Sequence, residues 1–131
     1  MIESFILPLA LTVWFECRGC DDPVDRVAVA QVVMNRVEDS GEFRRYSSPA
    51  EVVSQPGHFP WYGRQLKIEN SIDRAAWKDA VSIARMVYEG YVQDVTDGSK
   101  WFHTNRGMRR SWTMHKTPIA VGSGVHKFWT Q

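Results

Sequence analysis

From Phe5 to Phe15 nearly every position is apolar (Phe5, Ile6, Leu7, Leu9, Ala10, Leu11, Val13, Trp14, Phe15). Such a run reads as a buried helix. Pro8 fits its first turn, where a missing N–H costs nothing, and Gly19 is the expected stop. A second helix opens at Asp22-Pro23, an N-cap followed by proline at the first helical position. Val24, Val27, Ala28, Gln31, Met34 and Val37 share one stripe. Val29, Val32 and Val33 widen it, so this helix, ending near Val37 or Glu38, is expected to be central and largely buried. Gln31 and Asn35 are then polar groups on a buried element and need partners.

Ser48-Pro49-Ala50-Glu51 is a capping box and predicts a short helix to about Ser54. Two prolines and two glycines exclude regular structure through most of Gln55-Pro56-Gly57-His58-Phe59-Pro60-Trp61-Tyr62-Gly63. Three aromatics, a His and a Gln in that loop suit sugar stacking, or packing into the core, and the two are compatible. Ala76, Trp77, Ala80, Val81, Ala84, Val87 and Tyr88 repeat at three and four, which predicts a third long helix from about Ile72 to Glu89, stopped by Gly90. Asp94–Gly98 reads as a turn. The last third reads as β: Ser99–Thr104, Val125–Thr130 and a further strand over Thr117–Val121, with a basic loop over Asn105–Lys116.

The sum is one α+β domain over residues 1–131, with three longer helices and one short one followed by a small antiparallel sheet. Its 131 residues suit a single modest core. The longest apolar run falls short of the ~20 residues that span a bilayer, so stable membrane insertion is not expected. Met1-Ile2-Glu3-Ser4 lacks the basic start of a secretory signal. The expectation is a chain made in the cytoplasm that reaches its place of action after release by something else. The net charge of +1 hides an asymmetry. All 15 acids lie within residues 1–97, whereas residues 98–131 carry Lys100, Arg106, Arg109, Arg110, Lys116 and Lys127 and no acid. A basic tail with Trp101, Phe102, Trp112, Phe128 and Trp129 suits an anionic polymer, either nucleic acid or a cell wall, or serves as a solubilising surface.

Chemistry concentrates in Trp14-Phe15-Glu16-Cys17-Arg18-Gly19-Cys20. Glu16 falls in the last turn of the apolar helix, where the negative end of the dipole disfavours a second negative charge. Trp14 and Phe15 desolvate it. Both effects raise a carboxyl pKa, which is the condition of a general acid. The plainer reading is a surface glutamate with Arg18 as partner. Cys17-x-x-Cys20 admits a redox pair, half of a zinc site or two unrelated small residues. The redox reading is weak because the pair closes a helix instead of opening one. For zinc, His103, His115 and His126 are present, but none shows H-x₃₋₅-H spacing. No dedicated metal or cofactor is expected.

Four patches, in order, resemble the SleB-type cell wall hydrolases, a family of spore-cortex-lytic enzymes and related bacterial and phage proteins. Phe15-Glu16-Cys17-Arg18-Gly19-Cys20 resembles the family's GEARGE segment. Val27-Ala28-Val29-Ala30-Gln31-Val32-Val33-Met34-Asn35-Arg36-Val37 resembles VAVAAVILNRV, and Gln55-Pro56-Gly57-His58-Phe59-Pro60 resembles QPGQFS. Phe102-His103-Thr104-Asn105, Trp112 and Gly124-Val125-His126-Lys127-Phe128-Trp129 resemble its YHAD/YHAN, Trp and GRHVFY elements. The chain departs where Cys20 replaces the second acid of GEARGE, followed by Asp21 and Asp22, and where His58 replaces a Gln.

The resemblance implies a lysozyme-like catalytic domain that cuts peptidoglycan between N-acetylmuramic acid and N-acetylglucosamine, with Glu16 as the catalytic acid. A phage lysin or a bacterial wall enzyme fits. A monomer with peptidoglycan as partner, and no nucleic acid, is expected. Two routes follow protonation of the glycosidic oxygen. Lytic transglycosylation needs one carboxylate, whereas hydrolysis needs a second, for which Asp21 or Asp25 are candidates. Gln55, Phe59, Trp61, His103, Asn105 and Trp112 are candidates for lining the glycan groove. A non-catalytic wall- or nucleic-acid-binding module and a redox protein are the readings from other classes.

Overall fold

In the computed structural model, which describes residues 1–39, 41, 43, 45–104 and 117–130, four helices precede two strands. They are α1 (Leu7–Cys17), α2 (Pro23–Val37), α3 (Pro49–Val53), α4 (Ser71–Glu89), β1 (Trp101–Thr104) and β2 (His126–Trp129). The α+β expectation holds. The whole of the basic loop over 105–116, with Asn105, Trp112 and His115, lies outside the described residues. Among the described residues, no helix is long and apolar enough to cross a membrane.

Local signals account for most helix ends. Asp22 caps α2 by accepting from the Val24 N–H at 2.9 Å, with Pro23 next to it. Ser48 Oγ accepts from the Glu51 N–H at 3.2 Å, and Glu51 reaches back to the Ser47 N–H at 2.8 Å, one residue outside the usual box. Asn70 caps α4, whose end is the left-handed Gly90 with φ +76°. The end of α1 differs from expectation. Its C-cap is Arg18 in a right-handed conformation, and Gly19 is not the stop. A Cys17–Cys20 disulfide closes the turn, with the Cys20 N–H donating to the Cys17 carbonyl at 3.1 Å.

Helices α1, α2 and α4 pack against one another, α3 lies on α1 and α2, and β1 touches α2. The core joins Ile6, Leu9, Ala10 and Val13 of α1 to Ala28, Val29, Val32 and Val33 of α2 and Ala80, Ile83, Ala84 and Val87 of α4. Strands β1 and β2 are antiparallel, with Phe102 opposite Phe128. The third strand expected over Thr117–Val121 is reduced to one bridge. The Ile119 N–H donates to the Phe128 carbonyl at 2.8 Å.

The polar groups of α2 find partners far along the chain. Asn35 Nδ2 donates to Asp94 Oδ2, Thr96 Oγ1 and the Ser99 carbonyl, and Asn35 Oδ1 accepts from Gln31. Arg36 is 4 % exposed. It donates to the Lys100 carbonyl at 2.7 Å and to Gln55 Oε1 at 3.3 Å, and its guanidinium lies 4.5 Å from the Phe43 ring centre. Asp25 is 1 % exposed and holds the turn before β2, accepting from the Ser123 N–H at 3.2 Å and from its hydroxyl. Gly122, at φ +51°, makes that approach possible, since a Cβ there would overlap the Asp25 carboxylate.

Gly122→Ala combines a left-handed alanine, about 1–2 kcal/mol, with overpacking of about 1–3 kcal/mol. Urea unfolding should register a loss of about 2–5 kcal/mol. A change below about 0.5 kcal/mol would mean that the Asp25 contact does not constrain the turn.

Candidate active site around Glu16

A 3.6-residue period sends the last turn of α1 in two directions. Trp14 and Arg18, one turn apart, face α4. The Trp14 ring meets Trp77 edge-on at 5.9 Å, while the Arg18 guanidinium lies 4.2 Å from the Trp14 ring centre and pairs with Asp73. Arg18 is therefore committed to α4 and is not the partner of Glu16. Phe15 faces the irregular loop, stacked on Trp61 at 5.4 Å with the planes 10° apart. Glu16 sits beside this stack, half-buried.

Burial raises the Glu16 carboxyl above the ordinary glutamate value, and the Trp61 indole N–H opposes the rise. That N–H is buried and completes no hydrogen bond of good geometry. It nonetheless lies near enough to favour the ionised carboxylate. The acid thus has an apolar wall that favours its protonated form and one donor aimed at the ionised form. A group that must give a proton and then hold the resulting charge needs both.

The start of β2 reaches the backbone of Glu16. His126 is 4 % exposed, between Phe102 at 5.5 Å and Phe128 at 6.2 Å. Neither ring nitrogen completes a hydrogen bond. Burial lowers its pKa, which the nearby Asp25 charge and the Glu16 backbone carbonyl partly offset and His103 reinforces. The sequence offers His126 only as a zinc candidate without the usual spacing and as part of the GRHVFY-like patch, not as a groove residue. Its signal was present in the alternation His126, Phe128, which puts both on the inward face of a strand.

The predicted groove residues separate into two groups. Trp61 lies beside Glu16, and His103 lies near His126. His103 stacks on Trp129 at 5.9 Å, and its Nδ1 lies 2.9 Å from the Thr104 carbonyl. Gln55, Phe59 and Trp61 are all buried, at 8 %, 4 % and 5 % exposure, whereas His103 is half-buried. Gln55 is engaged by Arg36, and Phe59 packs on Trp61 at 5.8 Å and on Phe102 at 6.4 Å. Asn105 and Trp112 lie outside the described residues. On the other side of Trp61, the groove between α1 and the loop encloses about 470 Å³ and is lined by Leu7, Leu11, Val53, Tyr62 and Arg64 among others.

The candidate second carboxylates are also placed. Asp21 is exposed, and Asp22 caps α2. Asp25 is not a surface capping residue at a polar turn, because the start of α2 points it inward, where Ser123 occupies both of its oxygens. Cys17 and Cys20 are joined to each other, and neither is a free thiol. The sulfur pair and a His126 ring nitrogen lie within 4.8 Å of one another, so among the described residues these three form a group that could hold a metal ion.

No curated protein and no solved structure matches the chain. The Cell Wall Hydrolase family (Hydrolase_2) matches residues 21–129. That span takes in α2, the aromatic loop and both strands, and begins five residues beyond Glu16. The match covers most of the chain, and the protein therefore belongs to the Cell Wall Hydrolase family, enzymes that act on peptidoglycan.

Proposed function

We propose that this protein is a SleB-type enzyme that cleaves peptidoglycan glycan strands at the N-acetylmuramic acid–N-acetylglucosamine bond, by lytic transglycosylation with Glu16 as the only acid/base. The observation that carries the reading is the placement of Glu16. A lone carboxyl stands in the last turn of an apolar helix, walled by the Phe15–Trp61 stack and faced by an indole N–H.

The protonated Glu16 gives its proton to the glycosidic oxygen. The bond from C1 of the muramic acid to that oxygen breaks, and the glucosamine leaves with a free 4-hydroxyl. Positive charge spreads over C1 and the ring oxygen of the muramic acid. Its own 6-hydroxyl then attacks C1 and passes its proton to the Glu16 carboxylate. A 1,6-anhydro end forms, no water is consumed and the acid is restored. The Trp61 N–H stabilises the carboxylate between the two steps, which is stabilisation aimed at charge that exists only during turnover. His103 bears on the sugar, while Trp61, buried beside Glu16, walls the acid with Phe59 packed behind it. Asn105 and Trp112 would complete the groove. The commitment of Asp25 to Ser123 favours this route over a two-carboxylate hydrolysis.

Mass spectrometry of products from purified peptidoglycan tests the route. Wild type should release muropeptides ending in 1,6-anhydro-muramic acid, and Glu16→Gln should release none while keeping its far-ultraviolet circular dichroism. Reducing ends one water heavier would replace transglycosylation by hydrolysis and move attention to Asp21. Absence of any glycan cleavage by the wild type would sink the proposal.

The raised Glu16 pKa also has a sign for stability. The fold favours the protonated carboxyl, so its contribution is complete below the ordinary glutamate value and is lost as pH rises through the raised one. Wild-type Tm should decline over that window relative to Glu16→Gln, and parallel Tm–pH curves would contradict the burial of this group. The alkaline limb of kcat/KM should follow the same ionisation. Trp61→Phe keeps the stack and removes the N–H, so it should move that limb to higher pH, whereas an unmoved limb would show that the indole does not act on Glu16.

A further inference from the structure

The end of α1 and the start of β2 bring together three side chains that the glycosidase reading does not use. Cys17 is the last residue of α1, Cys20 closes the turn after it, and His126 opens β2. They are 1 %, 8 % and 4 % exposed. Their ligand atoms lie within 4.8 Å of one another. His126 supplies an independent observation. It is an imidazole with both nitrogens buried and no hydrogen bond completed to either, an arrangement that is costly in a dry interior. Phe102 and Phe128 flank the ring, and the sulfur pair lies within reach of one of its nitrogens. Burial among aromatic rings does not explain a histidine at this position, whereas a soft divalent ion does.

We propose that Cys17, Cys20 and His126 form a binding site for one zinc ion when the Cys17–Cys20 disulfide is reduced. The donors are those zinc selects, two thiolates in C-x₂-C spacing and one imidazole. Tetrahedral coordination with Zn–S near 2.3 Å and Zn–N near 2.0–2.1 Å places ligand atoms about 3.5–3.8 Å apart. The bonded sulfurs must separate, and the histidine is already within reach. Three protein ligands leave the fourth position to water.

The two states exclude each other, and the exchange balances. A dithiol or phosphine reductant delivers two electrons to the S–S bond, and the two sulfurs take up two protons. Zinc binding releases those protons and leaves two thiolates on the metal. Oxidation by an exchanging disulfide withdraws the two electrons, rebuilds the bond and expels the ion. The ion is held in a reducing compartment and the disulfide in an oxidising one. This site does not depend on the role assigned to Glu16.

The test uses the full chain, reduced with a phosphine under anaerobic conditions, with Co²⁺ as the optical probe and Zn²⁺ as competitor. The reduced chain should bind one Co²⁺ with a thiolate charge-transfer band and the visible bands of a tetrahedral site, and Zn²⁺ should abolish both. The oxidised chain should show neither. Cys20→Ser should abolish the thiolate band, and His126→Gln should weaken Co²⁺ binding at least about tenfold. A reduced wild type without a thiolate–cobalt band, or His126→Gln with wild-type affinity, would overturn the proposal. If His126→Gln does not fold, alkylation of the reduced wild type decides. Zn²⁺ should slow the reaction of both cysteines with iodoacetamide, and an unchanged rate overturns the site.

Discussion

Side-chain hydrogen bonds from one helix hold the second half of this chain in place. A two-stranded sheet of four-residue strands cannot anchor a domain by itself. Helix α2 supplies what the sheet lacks. Asp25, at its start, fixes Gly122 and Ser123. Asn35 and Arg36, at its end, fix the 94–100 turn and the aromatic loop. Each of these side chains is buried or partly so, and each is satisfied, the condition under which buried polar groups specify a structure instead of weakening it. Removing any one leaves a charge or a donor stranded in the core, so the three clamps fix the loops more firmly than their area of contact suggests.

The catalytic proposal rests on that arrangement. The wall of Glu16 is Trp61, which sits in a loop with no regular structure. Phe59 and Gln55 hold that loop from behind, and Arg36 reaches both Gln55 and the rings of Phe43 and Phe59. Loops position functional groups well when a rigid scaffold holds them, and here the scaffold is a guanidinium seated among aromatic rings. Arginine suits this role because its planar fork donates in several directions and stacks on ring faces at once. The family match runs through these supporting elements, whereas Glu16 stands before it. Its assignment therefore comes from physical setting and resemblance together.

Much of this was legible in the sequence. Caps at Asp22, Ser48 and Gly90 and the apolar periods located all four helices, because those signals are local. The awkward position of Glu16 was legible for the same reason. Long-range pairings were not. Gln31 and Asn35 were recognised as needing partners, but nothing in their spacing pointed to Asp94, Thr96 or Ser99. The stop at Gly19 was misread, since a disulfide closes that turn without a left-handed residue. Thr117–Val121 has strand composition yet only Ile119 pairs, because one hydrogen bond to Phe128 is all that the short β2 offers there. His126 lacked the metal-ligand spacing that would have tied it to Cys17 and Cys20, and only folding brings them together.

The Asp25–Ser123 contact spans 98 residues. Bringing such distant segments together costs more chain entropy than docking neighbouring helices, so contacts of this kind form late in folding. The helices and the Glu16 end of the site come from the first ninety residues, and His126 arrives near the last. During synthesis, the N-terminal helices leave the ribosome while the segment that completes the site is still being made. Assembly of the site then waits on β2, and a chain interrupted before residue 126 would carry the acid without that strand.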